Sequence, residues 1–574
     1  MANVKIIPLG GQDERGKNSF ILCVDEDLYV FDMGLKLPES SILGVDVIIS
    51  NYDFLYKNAD KIKGIFISNG STYNAGGLQY FLRKVSAPIY CNEFTEIILR
   101  HKNIKIRLEH QNSNINIIKD GDIVEFANLK IDVFKSTASF PNSLNYAIYT
   151  PEGLVVYLSD FIYDGEEKDF FSPNFSHIQK IASDGVSLLL IDSEYASRQG
   201  FTSPNHKLDK YLPNIIREKK RRALFAIFEE DIFNLYAIVK EAIATNKKIC
   251  LYGNLLNQIS DIVIEKSGLD KNAFISPAEY RESDNATLII AASGDLLYAK
   301  LTKIAVGNDE FIKLKESDIV ILATPPAPGV ERRHADTLDE LSRTSAKIIS
   351  LSDRNLWSMR ASYEDVKLAI SMISPKKVIP IKGLYKDFVA TKRAAIECGL
   401  TDYDILILEN GDALTFKKGP ELGILKETLK IDDIFVDGVG IGDLSDTILY
   451  ERKMLGTDGV VIIGVNVDYN TKLPVSLVDT QMRGITSIND DGILINLIQE
   501  ILLESLAKYA AAYKESKEYN LNFIKKDILS KIKGLLKKEI RKQPIVLLIV
   551  NELRSPNITS RISKQTAVNI VDDK

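Results

Sequence analysis

The chain has 574 residues, 45% of them apolar and 26% charged, with a formal net charge of −6. That length exceeds what one hydrophobic core serves and predicts two to four domains of ordinary globular composition. The acidic balance excludes a generally basic nucleic-acid binder and leaves room only for a local basic groove.

Residues 1–206 alternate short Val/Ile-rich strands with turns, in order VKIIPLGG, FILCV, LYVFDMG, VDVIIS, IKGIFIS, APIYC, LKIDVF, NYAIYT, LVVYLSD and VSLLLIDS. Helical spacing is weaker, with GGLQYFLRKV and EFTEIILRHK fitting surface helices, so a strand-rich α+β layer structure is expected. Within it, KIKGIFISNGSTYNAGGL reads as a buried strand, Ile62 to Ile67, that enters a tight loop and a helix start where Gly76-Gly77 permits close packing. From 207 to 350 the pattern changes to helix–strand alternation (LDKYLPNIIREKKRR, ALFAIF, FNLYAIVKEAIATNKK, ICLYG, TLIIAA, DIVILATPP, AKIISLS), which predicts an inserted α/β domain with a parallel sheet.

Residues 351–425 return to strand, turn and helix in KKVIPIKGLYKDFVATKRAAIECGL, and DYDILILENGDALTF predicts a hairpin turning at Asn410-Gly411. A turn-rich linker is expected over 426–455, a small C-terminal α/β domain over 456–560 and a polar tail over 561–574. The apolar run Ile493 to Leu506 suits either a domain core or a partner face. Cys23, Cys91, Cys250 and Cys398 form no CxxC pair and read as free thiols of a reducing compartment. MANVK leads straight into a strand and no apolar stretch of membrane-spanning length occurs, so a cytoplasmic chain with no membrane partner is expected. The five histidines form no closely spaced pair, which weighs against a two-metal enzyme.

The strand and loop at 61–78 resemble the metallo-β-lactamase superfamily, where such a strand ends in His-x-His-x-Asp-His before Ile-Gly-Gly. The matching positions here are Asn69, Ser71, Tyr73 and Asn74, and none is a comparable zinc ligand at neutral pH. Over nearly the whole chain the order of segments resembles ribonuclease J. PLGGQDERGKNSF, FDMGLKLPESSILGVDVIIS, STASFPNSLNYAIYTPEGLVVYLSDF and IDSEYASRQGFT follow that family's motifs. The resemblance implies an αββα metallo-β-lactamase sandwich with an inserted α/β β-CASP domain, a small C-terminal assembly domain, and RNA phosphodiester hydrolysis with zinc or manganese.

Carried over position by position, that chemistry is mostly missing. The family's later metal-binding histidines fall at Ala138 and Lys382, with Leu384 in place of an acid, and Asp160 alone of seven ligand positions keeps its residue type. The phosphate-gripping Ser-Asn-x-His element becomes Glu230, Asp231, Ile232 and Phe233. The Gly-Ser-Gln-Gly-Glu loop becomes Ala291 to Asp295 with Ser293 at its centre, and His-x-Ser-Gly-His becomes Leu356, Trp357, Ser358, Met359 and Arg360. Residues that shape backbone persist: Gly10, Gly11, Gly16, Asp32, Gly34, Gly76, Gly77, Pro141, Pro326, Pro328, Gly329 and Gly383.

The expectation is a catalytically silent or strongly impaired protein without a metal cofactor. It would serve as a structural or regulatory subunit in RNA processing and decay, paired with itself or with an active homologue. Lys382 is expected to pair with Asp160. Two alternatives remain open. One is an active 5′-exo- and endoribonuclease whose Asp160 joins Asp32, Asp192 or Asn74 around a hard cation such as magnesium. The other is a non-catalytic module binding RNA weakly through Arg360, Lys382 and the lysine-rich segment Lys525 to Lys542.

Overall fold

The computed structural model describes residues 3–38, 42, 44–100, 115–217, 221–253, 269–326, 330–352, 354–416, 423–424, 429–438, 440–442, 446–485, 491–516 and 518–554. His101, His110, Pro328, Gly329 and the expected tail 561–574 lie outside them. Contacts divide the chain into two units, one of residues 1–39 with 46–436, the other of 40–45 with 437–574.

In the larger unit, one sheet runs in spatial order Gly423–Ile424, Leu414–Phe416, Val4–Gly10, Ser19–Val24, Asp27–Phe31, Ile62–Phe66, Ile89–Cys91 and Ile115–Ile117. A second runs Lys377–Ile381, Val186–Asp192, Gly153–Leu158, Leu144–Thr150, Lys130–Lys135 and Ile123–Glu125. Alternate side chains point to opposite faces of a strand, so each sheet sends one set inward. Ile6, Phe20, Leu22 and Phe31 of the first meet Val133, Tyr146, Tyr157 and Leu190 of the second in a single core. The opposite set of the second sheet, Val156, Leu158, Leu189 and Ile191, is covered by the helices Phe175–Ser183, Tyr363–Ile373 and Tyr385–Glu397 through Ile178, Ile370 and Ala394. This is the expected metallo-β-lactamase layering.

The inserted part carries a parallel sheet ordered Lys248–Tyr252, Ala286–Ala292, Ala223–Phe228, Ile319–Leu322 and Lys347–Ser350. Its central strand is buried on both faces: Phe225 and Ile227 pack toward the helix Ile232–Ala244, Leu224 and Ala226 toward Gly294–Ala305. In the smaller unit, the strands Asp479–Arg483, Val460–Asp468 and Ile545–Leu553 pack on the helices Asp491–Ser516 and Leu521–Glu539. Leu494, Ile498, Leu502 and Leu506, four residues apart, face this core, while Ile493 and Leu503 are exposed.

Two expectations are corrected. The segment expected as a linker, 426–455, contains the strands Asp433–Asp437 and Gly440–Ile441 and most of a helix, Asp446–Thr457. DYDILILENGDALTF is not a hairpin. Ile405 bridges Val378 of the second sheet, whereas Leu414–Phe416 pairs with Val4–Ile6 of the first, so the Gly411 turn (φ 92°) hands the chain from one layer to the other. Among the described residues no helix is long and apolar enough to cross a membrane.

Candidate functional site

Parallel neighbours end at the same edge of a sheet, so loops leaving their C-terminal ends converge. Gly153–Leu158, Val186–Asp192 and Lys377–Ile381 are parallel neighbours, and Ser159, Asp160, Asp192, Glu194 and Lys382 follow at or just past their ends. Asp27–Phe31 and Ile62–Phe66 do the same in the other sheet, delivering Asp32 and the Ser68–Asn74 loop. The loop lies tight against its neighbours, since a Cβ on Gly34 would stand 1.6 Å from the Tyr73 carbonyl oxygen and one on Gly77 2.4 Å from that of Gly34. That close approach explains why glycine stays where ligands do not.

Asp160 is the hub. Its Oδ2 accepts from the amides of Asn69 (2.7 Å) and Asn74 (2.9 Å), both fully buried. Asn69 Oδ1 in turn accepts from Asn74 Nδ2 (3.2 Å) and from the Ser71 backbone N–H (3.1 Å), and Asn74 Oδ1 accepts from Asn18 (2.7 Å). Two basic side chains supply the positive charge. Arg360 Nη1 lies 2.7 Å from Asp160, 2.8 Å from Glu194 and 3.4 Å from Asp192. Lys382 Nζ donates to Asp32 (2.9 Å), to Asn74 Oδ1 (3.2 Å) and to Ser159 Oγ. Asp32 also accepts from Tyr157 (2.8 Å) and from the Ser68 N–H (2.8 Å) and hydroxyl (2.9 Å).

The ion pair expected between Lys382 and Asp160 is therefore not the one formed. Lys382 leaves the end of its strand in left-handed backbone (φ 57°), and its ammonium meets Asp32, while Arg360 meets Asp160. Burial pushes the Asp160 carboxyl up, but Arg360 and Lys382 outweigh it and hold it well below the usual carboxylate range. Burial likewise pushes the Asp192 carboxyl up, and there the neighbouring carboxylates of Asp160 and Glu194 add to it against Arg360 and Lys382.

The remaining predicted positions fall into three places. Tyr73 stands near Glu194, Tyr195, Glu230 and Arg360, and burial is the main cause of its raised hydroxyl pKa. Ala138 is buried and offers no donor. The Ser71 and Ser358 hydroxyls are buried without a hydrogen-bond partner among the described residues. Glu230, Asp231 and Phe233 sit at the junction between the inserted part and the sandwich. Glu230 accepts from Thr72, Asp231 caps the helix Ile232–Ala244 through the Asn234 N–H (3.2 Å), and Phe233 packs with Ile162, Phe171 and Met359. Ser293 precedes the helix Gly294–Ala305 and makes no side-chain cap, Leu356 is core, and Trp357 is stacked on His206 with ring centroids 3.6 Å apart. Glu194, Ser159, Tyr157 and Asn18 were not singled out from the sequence. Glu194 was findable, because two residues after Asp192 at a strand end it tends to share that residue's side.

Zinc and manganese in this fold are held by imidazole and carboxylate donors. The residues present do not fit them. Among the described residues no group of three or more His, Cys, Asp or Glu is arranged to hold a metal ion, and the convergence point of Asp160, Asp192 and Glu194 is taken by a guanidinium nitrogen. Fold and site together define a metallo-β-lactamase sandwich with a β-CASP insertion whose metal centre has been rebuilt as an ion-paired hydrogen-bond network. The profile for "Ribonuclease J, beta-CASP domain" matches residues 220–341 and that for "Ribonuclease J C-terminal domain" matches 447–553. The chain belongs to the ribonuclease J family. It is 28% identical to Ribonuclease J2 of Bacillus subtilis over 558 residues (96% of this chain, 99% of that one) and 27% identical to Ribonuclease J 2 of Staphylococcus aureus over 555 (96% and 98%). It is 32% identical to the uncharacterized protein MG423 of Mycoplasma genitalium over 474 residues (82% and 84%). A solved structure of a protein of unknown function from Enterococcus faecalis V583 shares the fold at TM-score 0.50 and 13% identity, covering 72% of this chain and 100% of that one.

Proposed function

We propose that the chain is a catalytically silent or strongly impaired member of the family, acting as a structural or regulatory subunit in RNA processing and decay beside an active homologue or a second copy of itself. The observation that carries this is the replacement of metal ligands by an ion-paired hydrogen-bond network. Asn69, Asn74, Arg360 and Lys382 neutralise and hydrogen-bond Asp160, Asp32 and Glu194, so no cluster of cations is available to offset charge developing on a phosphoryl group.

The alternative of a hard cation among Asp160, Asp32, Asp192 and Asn74 is opposed by the same contacts. Each of those oxygens already faces Nζ, Nη1 or an amide N–H. Elemental analysis of the purified chain and cleavage of 5′-monophosphorylated RNA with manganese or magnesium test the proposal. The expected result is well under one metal per chain and no metal-dependent turnover, unchanged in Asp160→Ala. About two transition metals per chain, or turnover lost in Asp160→Ala, overturns it.

A further inference from the structure

Glu230 lies in the turn between the strand Ala223–Phe228 and the helix Ile232–Ala244, on the inserted part. Its carboxylate reaches across to the sandwich and accepts from the Thr72 backbone N–H (2.9 Å) and from the Thr72 hydroxyl. Thr72 belongs to the altered ligand loop, between Ser71 and Tyr73. Beside it the Phe233 N–H donates to the Ser139 carbonyl (3.0 Å), and Phe233 stacks edge-on against Phe171 at 5.0 Å. One carboxylate, one backbone bond and an apolar seam thus join the inserted part to the sandwich at the place where the loop begins.

Two anions do not share one pair of donors, and like-charge repulsion opposes a phosphate placed beside a carboxylate. Arg360 is already committed to Asp160, Asp192 and Glu194. We propose that Glu230 is an internal stand-in for an anionic ligand, a clamp that closes the cleft between the β-CASP part and the sandwich and keeps single-stranded RNA out of it. The proposal deepens the reading of a silent subunit and rests on it only in that the centre behind the clamp does not cleave. Glu230 closes the cleft by contact and by charge, and these are separable: Glu230→Gln weakens the contact and removes the charge, whereas Thr72→Val removes the hydroxyl donor and leaves the charge.

The test uses the full chain and both variants, with hydrogen exchange of residues 69–75 and 231–235 and binding of a 5′-monophosphorylated single-stranded RNA oligonucleotide at fixed salt. Fluorescence of the single tryptophan, Trp357, confirms folding. Both variants are expected to exchange several-fold faster in both segments, and Glu230→Gln to bind the oligonucleotide about tenfold tighter, with a smaller gain in Thr72→Val. Unchanged exchange in both variants overturns the clamp. Tighter binding by Glu230→Gln without faster exchange also overturns it, because Glu230 would then be a repelling surface charge. Metal-dependent cleavage by Glu230→Gln with faster exchange would refute the silent-subunit reading and leave the clamp standing.

Discussion

The Lys382–Asp32 pair is the most deeply buried ion pair of the centre, its two side chains 1% and 0% exposed, and removing either partner strands a charge that the core cannot solvate. Both residues also hold left-handed backbone at φ 57°, a strain of about 1–2 kcal/mol each that the surrounding contacts must offset. Lys382→Met is expected to destabilise the larger unit by about 3–5 kcal/mol. Asp32→Asn/Lys382→Met should cost less than the two single changes added, since it leaves no lone charge. Denaturant midpoints followed by Trp357 fluorescence measure the cycle, and strict additivity would show the pair to be uncoupled. Asp231 makes a pH-dependent counterpart. Burial pushes its carboxyl from 3.8 up to about 6, against two hydrogen bonds from Asn234. An acid raised on folding is favourable while protonated, so its contribution is present below about pH 4 and is lost as pH rises through about 6. Asp231→Asn, which can still cap the helix, is expected to raise Tm at pH 8 and to leave it nearly unchanged at pH 4; a gain at pH 4 equal to that at pH 8 contradicts this sign.

At the scale of elements, the C-terminal unit shows how a lysine can act as a core residue. Lys472, after the strand Val460–Asp468, places its ammonium over the rings of Tyr469 (4.3 Å), Tyr519 (4.7 Å) and Tyr513 (5.3 Å) and pairs with Glu552 at 2.8 Å. The rings come from the strand end, from the helix Asp491–Ser516 and from just before the helix Leu521–Glu539, so one cation ties the sheet to both helices. Lys472→Met keeps the aliphatic volume and loses the charge, and is expected to cost about 2 kcal/mol, in line with a desolvated cation–π site. Hydrogen exchange of residues 460–468 should accelerate accordingly while Trp357 fluorescence, which reports the other unit, stays unchanged. The Asn410-Gly411 turn was legible as a turn, but a turn does not say whether its arms pair with each other. That was decided by Ile405 bridging back to Val378 and by Leu414 pairing with Ile6, on a strand near the start of the chain.

For the whole molecule, the division at Val436/Asp437 moves the useful cut. The helix Asp446–Thr457 goes with the C-terminal unit, so a chain ending at Val436 retains the cores of the sandwich and the inserted sheet intact. It is expected to keep the Trp357 unfolding midpoint of the full chain, and, if the C-terminal unit mediates assembly as the family resemblance implies, to sediment as a smaller species. Sedimentation at micromolar concentration, alone and mixed with the active homologue of the same cell, measures this; a full chain that is monomeric in both samples and matches the shortened form would remove the support for a subunit role.

The sequence by itself determined a strand-rich α+β part with an inserted α/β part, and its resemblance to the family marked the positions where metal ligands are missing. Strand alternation, helix–strand grammar and turn glycines are local signals, and the donor chemistry of a side chain is readable wherever it folds. It could not determine what replaced the metal. Arg360 and Lys382 are an arginine and a lysine among 72 basic residues, and nothing local says which of Asp32, Asp160, Asp192 and Glu194 each will meet. Partner choice among buried charges depends on distances between strand ends that are set by packing of the two sheets, and on strained backbone such as that at Lys382. The tertiary structure decided that Lys382 pairs with Asp32 and Arg360 with Asp160, and that Glu230, read from sequence as a lost phosphate contact, is itself bound to the opposite wall.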